Sequence, residues 1–98
     1  MTNGQGAFTA KGDRWTFAGT LTFDDAMDVL DATSRLPLPA SGAVDMSGLA
    51  HADSAALAVL LALRRRGVAE GKPLNFVAVP ASLAALARVY GIDDQIAP

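Results

Sequence analysis

His51 and Ser54 stand three residues apart, a spacing at which an imidazole could take a proton from a hydroxyl if a turn brought the two within hydrogen-bond reach. No glycine elbow flanks Ser54, and His51 is the sole histidine, so the pattern supports neither a strained nucleophile nor a histidine metal site. His51 therefore reads as a solvated turn residue, and a small hydrolase is a poor account of the pair. Gly67-Val68-Ala69-Glu70-Gly71-Lys72 comes near a phosphate-binding loop, but three residues rather than four separate the glycines, and Pro73 follows where Ser or Thr is needed. The segment also trails a predicted helix and leads into a predicted strand, the reverse of a phosphate cradle. Asp24, Asp25, Asp28 and Asp31 lack the spacing of a calcium loop and read as a solvated helix face. With no cysteine, thiolate ligation and disulfides are excluded, and no metal or cofactor is expected.

One constellation survives this sorting. Asp53 and Ser54 mark the start of a long helix, where Ser and Asp are what backbone capping alone selects. Asp45, at the end of the strand predicted before it, is expected to join Asp53 in placing two carboxylates near the Ser54 hydroxyl. A phosphate there would be held by the helix dipole and repelled by both carboxylates, so modification would change the surface substantially. On the same helix Ala55, Ala58 and Ala62 share one shallow face, while Leu57, Leu60 and Leu61 turn toward a core. Alanine favours helix everywhere, and small side chains also let a partner approach closely.

The elements that must position these residues follow from periodicity. Residues 1–6 read as a frayed end. Ala7 to Ala10 and Arg14 to Ala18 predict two strands joined through Lys11-Gly12-Asp13 as a hairpin. Thr22 is expected to cap a helix whose core stripe is Phe23, Ala26, Met27 and Leu30, stopped by Pro37 and Pro39. Ala43 to Met46 predicts a short strand and Ser47 to Ala52 a loop. The helix from Asp53 and Ser54 has an unbroken apolar run, Ala55 to Leu63, before Arg64, Arg65 and Arg66 bring it into water and Gly67 or Gly71 ends it. Leu74 to Val79 predicts a strand covered on both faces. Pro80 then opens a last helix with the stripe Leu83, Leu86, Ala87 and Tyr90, which Gly91 terminates so that Ile92 folds back. Strands alternating with helices after a hairpin imply an α/β fold, a small mixed β-sheet packed with α-helices.

Composition agrees. Ninety-eight residues suit one domain, predicted over 7–98, and 51% apolar against 18% charged residues describes a chain that folds. A net charge of −2 disfavours nucleic acid as a partner. The N-terminus has no basic and apolar leader pattern, and no apolar run approaches the ~20 residues of a membrane span, so a cytoplasmic protein is expected.

Val44-Asp45-Met46-Ser47-Gly48-Leu49 followed by Ala52-Asp53-Ser54-Ala55-Ala56-Leu57 resembles the STAS domain family, named for sulfate transporters and anti-sigma factor antagonists. Trp15 to Leu21 resembles that family's opening strand and turn, and the likeness covers nearly the whole chain. It implies the STAS-like (SpoIIAA-like) fold and places the family's phosphorylatable hydroxyl at Ser54. Ala56 stands where the family carries Gly, an added methyl expected to narrow the approach to that hydroxyl. The short length and the ending Leu86-Ala87-Arg88-Val89-Tyr90-Gly91-Ile92 are most like the MlaB group, STAS subunits of the Mla phospholipid-transport ABC complex. The resemblance implies a non-catalytic subunit that binds the transporter's ATPase (MlaF-like), and through it the permease, by the surface around Ser54. It would lie at the inner membrane only indirectly. The alternative it implies is an anti-sigma factor antagonist, bound by a GHKL-type serine kinase and phosphorylated on Ser54.

Overall fold

Trp15, Phe17 and Leu21 alternate onto one side of a strand, and all three are buried. The computed structural model, which describes residues 6–96, builds the fold outward from that strand. In chain order the elements are β1 (Ala7–Lys11), β2 (Arg14–Leu21), α1 (Ala26–Thr33), β3 (Ala43–Ala52), α2 (Ser54–Ala69), β4 (Asn75–Val77), α3 (Ala81–Val89) and α4 (Asp93–Ile96). The sheet has the order β1-β2-β3-β4, with the β1–β2 hairpin antiparallel and β2, β3 and β4 mutually parallel. The predicted mixed sheet with helices is thus observed. Of the frayed end expected over residues 1–6, only Gly6 lies among the described residues, and it is buried.

One sheet face carries Phe8, Trp15, Phe17, Val44, Met46 and Phe76 into a core shared with Ala56, Leu57, Leu60 and Leu63 of α2 and with Leu83, Ala87 and Ile96. Phe8 meets Phe17 edge-on at 4.8 Å between ring centroids. The Trp15 indole N–H donates to the Pro37 carbonyl at 3.1 Å, so the buried ring keeps a hydrogen-bond partner and holds down the loop after α1. The register Thr9, Thr16, Asp45, Val77 runs across the opposite face, where these side chains are exposed or half-buried.

Several elements depart from the sequence expectations. Ser47 to Ala52 is not a loop: β3 continues to Ala52, with Ala18 opposite Gly48, Thr20 opposite His51 and Leu21 opposite Ala52. Two register shifts interrupt that pairing, so β3 carries extra residues and the inward-outward alternation stops at Met46 although the strand does not. Gly48 is there for proximity, because a Cβ on it would lie 2.4 Å from the Phe17 carbonyl oxygen.

α1 starts at Ala26, later than the Thr22 cap implies, and its core stripe is Ala26, Val29 and Thr33. Phe23 and Met27 face outward, 81% and 77% exposed. Arg66 is not simply in water: its guanidinium donates to the Thr33 and Leu36 carbonyls at 2.8 and 2.7 Å and to Glu70 at 2.8 Å, tying α2 to the end of α1. Gly67 lies inside α2, which ends beyond it. Gly71 donates to the Val68 carbonyl and Lys72 to that of Gly67, a Schellman end with Gly71 at positive φ, and so the glycine-lysine segment is a helix terminus. The same pair of bonds ends α3, from Gly91 to Arg88 and Ile92 to Ala87, as expected, but Tyr90 is exposed and Pro80 is the cap residue instead of the first helical one. β4 is a three-residue edge strand, stopped by Ala78 at positive φ, not a strand covered on both sides.

Gly48→Ala is expected to lower the unfolding free energy by about 1–3 kcal/mol, read as a lower urea midpoint at unchanged slope. An unmoved midpoint would show that β2 and β3 can part at no cost.

Candidate functional site

β2 and β3 are parallel, so each delivers its following helix from the same end of the sheet, and the starts of α1 and α2 come to lie side by side there. Carboxyl ends of parallel strands are where α/β folds place ligands and partners.

Asp53 fixes this junction. One of its carboxylate oxygens accepts from the Ala55 amide at 2.8 Å and caps α2, and the other accepts from the Phe23 amide at 3.0 Å, just ahead of α1. Ser54, the first residue of α2, is consequently released from capping. It is exposed, and its hydroxyl makes no hydrogen bond to a described residue.

Beside it runs an apolar groove of about 270 Å³ between the two helices. Phe23, Met27 and Leu30 form one wall and Ala58 the other, over a floor of Ala26, Ala55 and Val59. The alanine face expected on α2 therefore has a physical use here, since Ala55 and Ala58 leave room that larger side chains would fill. Ala62 lies half-buried one turn further along, outside this lining. Of the stripe expected on α1, Ala26 is buried and Leu30 packs against the core, whereas Phe23 and Met27 face outward.

Asp45 does not join the site. Seven positions of extended chain separate it from Ala52, roughly 20 Å of strand, so the expected pair of carboxylates around Ser54 is reduced to Asp53 alone. Asp45 instead accepts from the Ser47 amide at 2.8 Å, at the first irregularity of β3, and pairs with Arg14 at 3.4 Å on the outer sheet face. The Ser47 amide and hydroxyl, helped by Arg14 against a small opposing effect of burial, hold its carboxyl below the ordinary range. Ala56 is also displaced from its expected role: it is fully buried, so its methyl fills core and does not stand in the approach to Ser54. His51 lies in β3 opposite Thr20 and lines a small hollow with Pro80 and Ser82; no hydrogen bond joins it to Ser54. Among the described residues no group of three metal-ligating side chains occurs, and no helix is long and apolar enough to cross a membrane.

Asp25 was missed as a positioning group. It is only 8% exposed, and its carboxylate accepts from the Thr20 hydroxyl at 2.7 Å, the Thr22 amide at 2.6 Å and the Thr22 hydroxyl at 3.3 Å. Thr22 is therefore the donor to Asp25 and does not cap the helix. Burial by itself raises this carboxyl, but the hydrogen bonds from Thr20, Thr22 and the Gly6 amide outweigh it and leave its pKa below the ordinary value. The turn that carries Phe23 is thus held from two sides, by Asp25 within it and by Asp53 across from it.

The family model described as "Mlab, STAS domain" matches residues 7–98. Comparison with curated proteins finds no match.

Because the folded Asp25 titrates below its unfolded value of about 3.9, its bonds stabilise the protein fully above that pH and are lost as pH falls through the lowered folded value. Asp25→Asn is expected to cost about 1–3 kcal/mol at neutral pH and to flatten the acid limb of stability. Urea titrations at pH 7 and through the acid range measure both effects; identical acid limbs in the two proteins would remove Asp25 from this role.

Proposed function

Since the chain belongs to the STAS domain family and is MlaB-like, we propose that it is a non-catalytic subunit that docks on the ATPase of an Mla-type phospholipid-transport ABC complex, through the α1–α2 groove and Ser54. STAS domains are in general binding modules. The observation that carries the reading is the exposure of Phe23 and Met27 beside the alanine floor of that groove, next to the exposed Ser54. Large apolar side chains on two neighbouring elements, with small residues between them, form a surface that a partner can cover.

The groove, about 270 Å³ in volume, is lined by apolar side chains, which supports contact with apolar side chains of a protein partner. The complex moves lipid; this chain supplies contact. Its place at the inner membrane is through the ATPase and permease, and it needs no cofactor for this task.

The exposed hydroxyl of Ser54 also supports a second reading, an anti-sigma factor antagonist phosphorylated by a GHKL-type serine kinase. A phosphate on Ser54 would stand at the start of α2, where the dipole favours it, and beside Asp53, which repels it. Modification would thereby act on the bond from Asp53 to Phe23 and on the mouth of the groove.

Co-expression with the ATPase of an Mla-type complex from the same genome, followed by affinity capture, tests the first reading. Ala58→Glu and Ser54→Arg, both at exposed positions, are expected to weaken capture about tenfold or more with unchanged circular dichroism. Undiminished capture by both variants rejects this surface. Incubation with a serine kinase of the GHKL type and ATP, read by intact mass, tests the second; phosphate appearing on Ser54 with no ATPase captured would establish it in place of the first.

A further inference from the structure

The groove is flanked unevenly by charge. Asp24 and Asp28 follow Phe23 and Met27 directly in sequence, lie one turn apart, and are exposed. Neither is bonded to a described side chain, whereas Asp31, the third acid of the ridge, is held by Arg35 at 3.1 Å. Asp28 also lines the hollow between α1 and β1, which puts the acidic ridge on the side of α1 away from α2. On the α2 side the one acid near the groove is Asp53, half-buried and holding the Ala55 and Phe23 amides, and the first exposed charge further along that side is Arg65. The exposed negative charge therefore stands on the α1 side, beyond Phe23 and Met27 and outside the groove lining.

From this asymmetry we infer that the occupant of the groove is an amphipathic helix with aliphatic side chains on one face and lysine or arginine along the edge that lies over α1. The inference rests on the docking reading above and specifies the chemistry of the partner. Apolar side chains at helical spacing fill the space over Ala55, Ala58 and Val59, as in other helix-in-groove contacts. Long basic side chains cross Met27 with their methylene stems and reach Asp24 and Asp28 with their charged ends. An anionic lipid surface is repelled by the same ridge.

The test uses the full chain and two labelled helical peptides with leucine at the spacing of one helix face. One has lysine along one flank, and its twin has glutamate at those positions. Fluorescence anisotropy is expected to show the lysine peptide binding about tenfold or more tighter than the twin, with the difference shrinking as salt rises. Asp24→Lys with Asp28→Lys, at two exposed positions with no bond to a described side chain, is expected to reverse the order, and Met27→Glu to weaken both peptides. Equal affinity for the two peptides, an order that survives the double charge reversal, or dimerisation through this face in sedimentation would each overturn the inference. Capture of the ATPase separates this failure from that of the docking reading. Loss of capture by Ala58→Glu with none by the double charge reversal leaves the docking surface standing and removes the basic flank, whereas capture indifferent to Ala58→Glu removes the surface itself.

Discussion

A single carboxylate bridges the starts of the two helices that form the site. Asp53 uses one oxygen to end the unpaired amides of α2 and the other to hold the amide of Phe23, and no other side-chain type common at helix starts supplies two acceptors on one short stem. A serine cap in its place would satisfy α2 and leave Phe23 loose. The division of labour also explains Ser54: because its neighbour does the capping, the hydroxyl at the first helical position stays outside the bonding of the fold and is open to whatever meets that surface. Capping alone is worth ~1 kcal/mol, a modest stabilisation, but its second bond fixes where an exposed aromatic ring stands relative to the alanine face.

That precision is needed because α1 is weak. Eight residues fall well short of the ~12–15 at which an isolated helix becomes even marginally stable, and Met27 within it, like Phe23 just ahead of it, faces away from the core. Its position is imposed from outside at both ends. Asp25 and Asp53 hold the approach to its first turn, and Arg66 of α2 gathers the Thr33 and Leu36 carbonyls at its last. Between these anchors the helix lies beside α2 without filling the space between them, and the unfilled space is the groove. A rigid apolar surface presented on a short element is suited to recognition, since little ordering remains to be done on contact.

How much of this could be read from the sequence depended on whether local pattern and tertiary role agreed. The loose alternation of Arg14 to Ala18, the apolar run of Ala55 to Leu63 and the Gly91 terminus each have one consistent meaning, and the structure has the corresponding strand, extended to Leu21, helix and cap. β3 was cut short because its irregularities break the period-two signal, and Gly48 looks like a loop residue until the Phe17 carbonyl that crosses it is in view. α1 has two apolar stripes, and periodicity cannot say which one is inside. Ala26, Val29 and Thr33 go in with Leu30 partly buried beside them, and Phe23 and Met27 are left out. Two residues of the expected stripe thus line the groove from outside the core, and the expectation of a shorter β3 drew Asp45 toward Ser54. Asp25 was invisible for a different reason: a buried carboxylate in a run of acids is recognisable only by its donors, and Thr20 and Thr22 precede it without any spacing rule to mark them.

The serine and the groove are one surface under two kinds of control. On the proposed docking, apolar contact in the groove would supply attraction without orientation, since apolar burial is non-directional, and the acids beside α1 and the polar start of α2 would supply the direction. A charge added at Ser54 would lie against Asp53, whose second bond holds Phe23, so it would alter the electrostatics of the lip and the position of the wall through the same carboxylate. For that reason both functional readings of the chain rest on the same few residues. They differ in what approaches the surface; His51 lines another hollow, and among the described residues no base is hydrogen-bonded to the Ser54 hydroxyl.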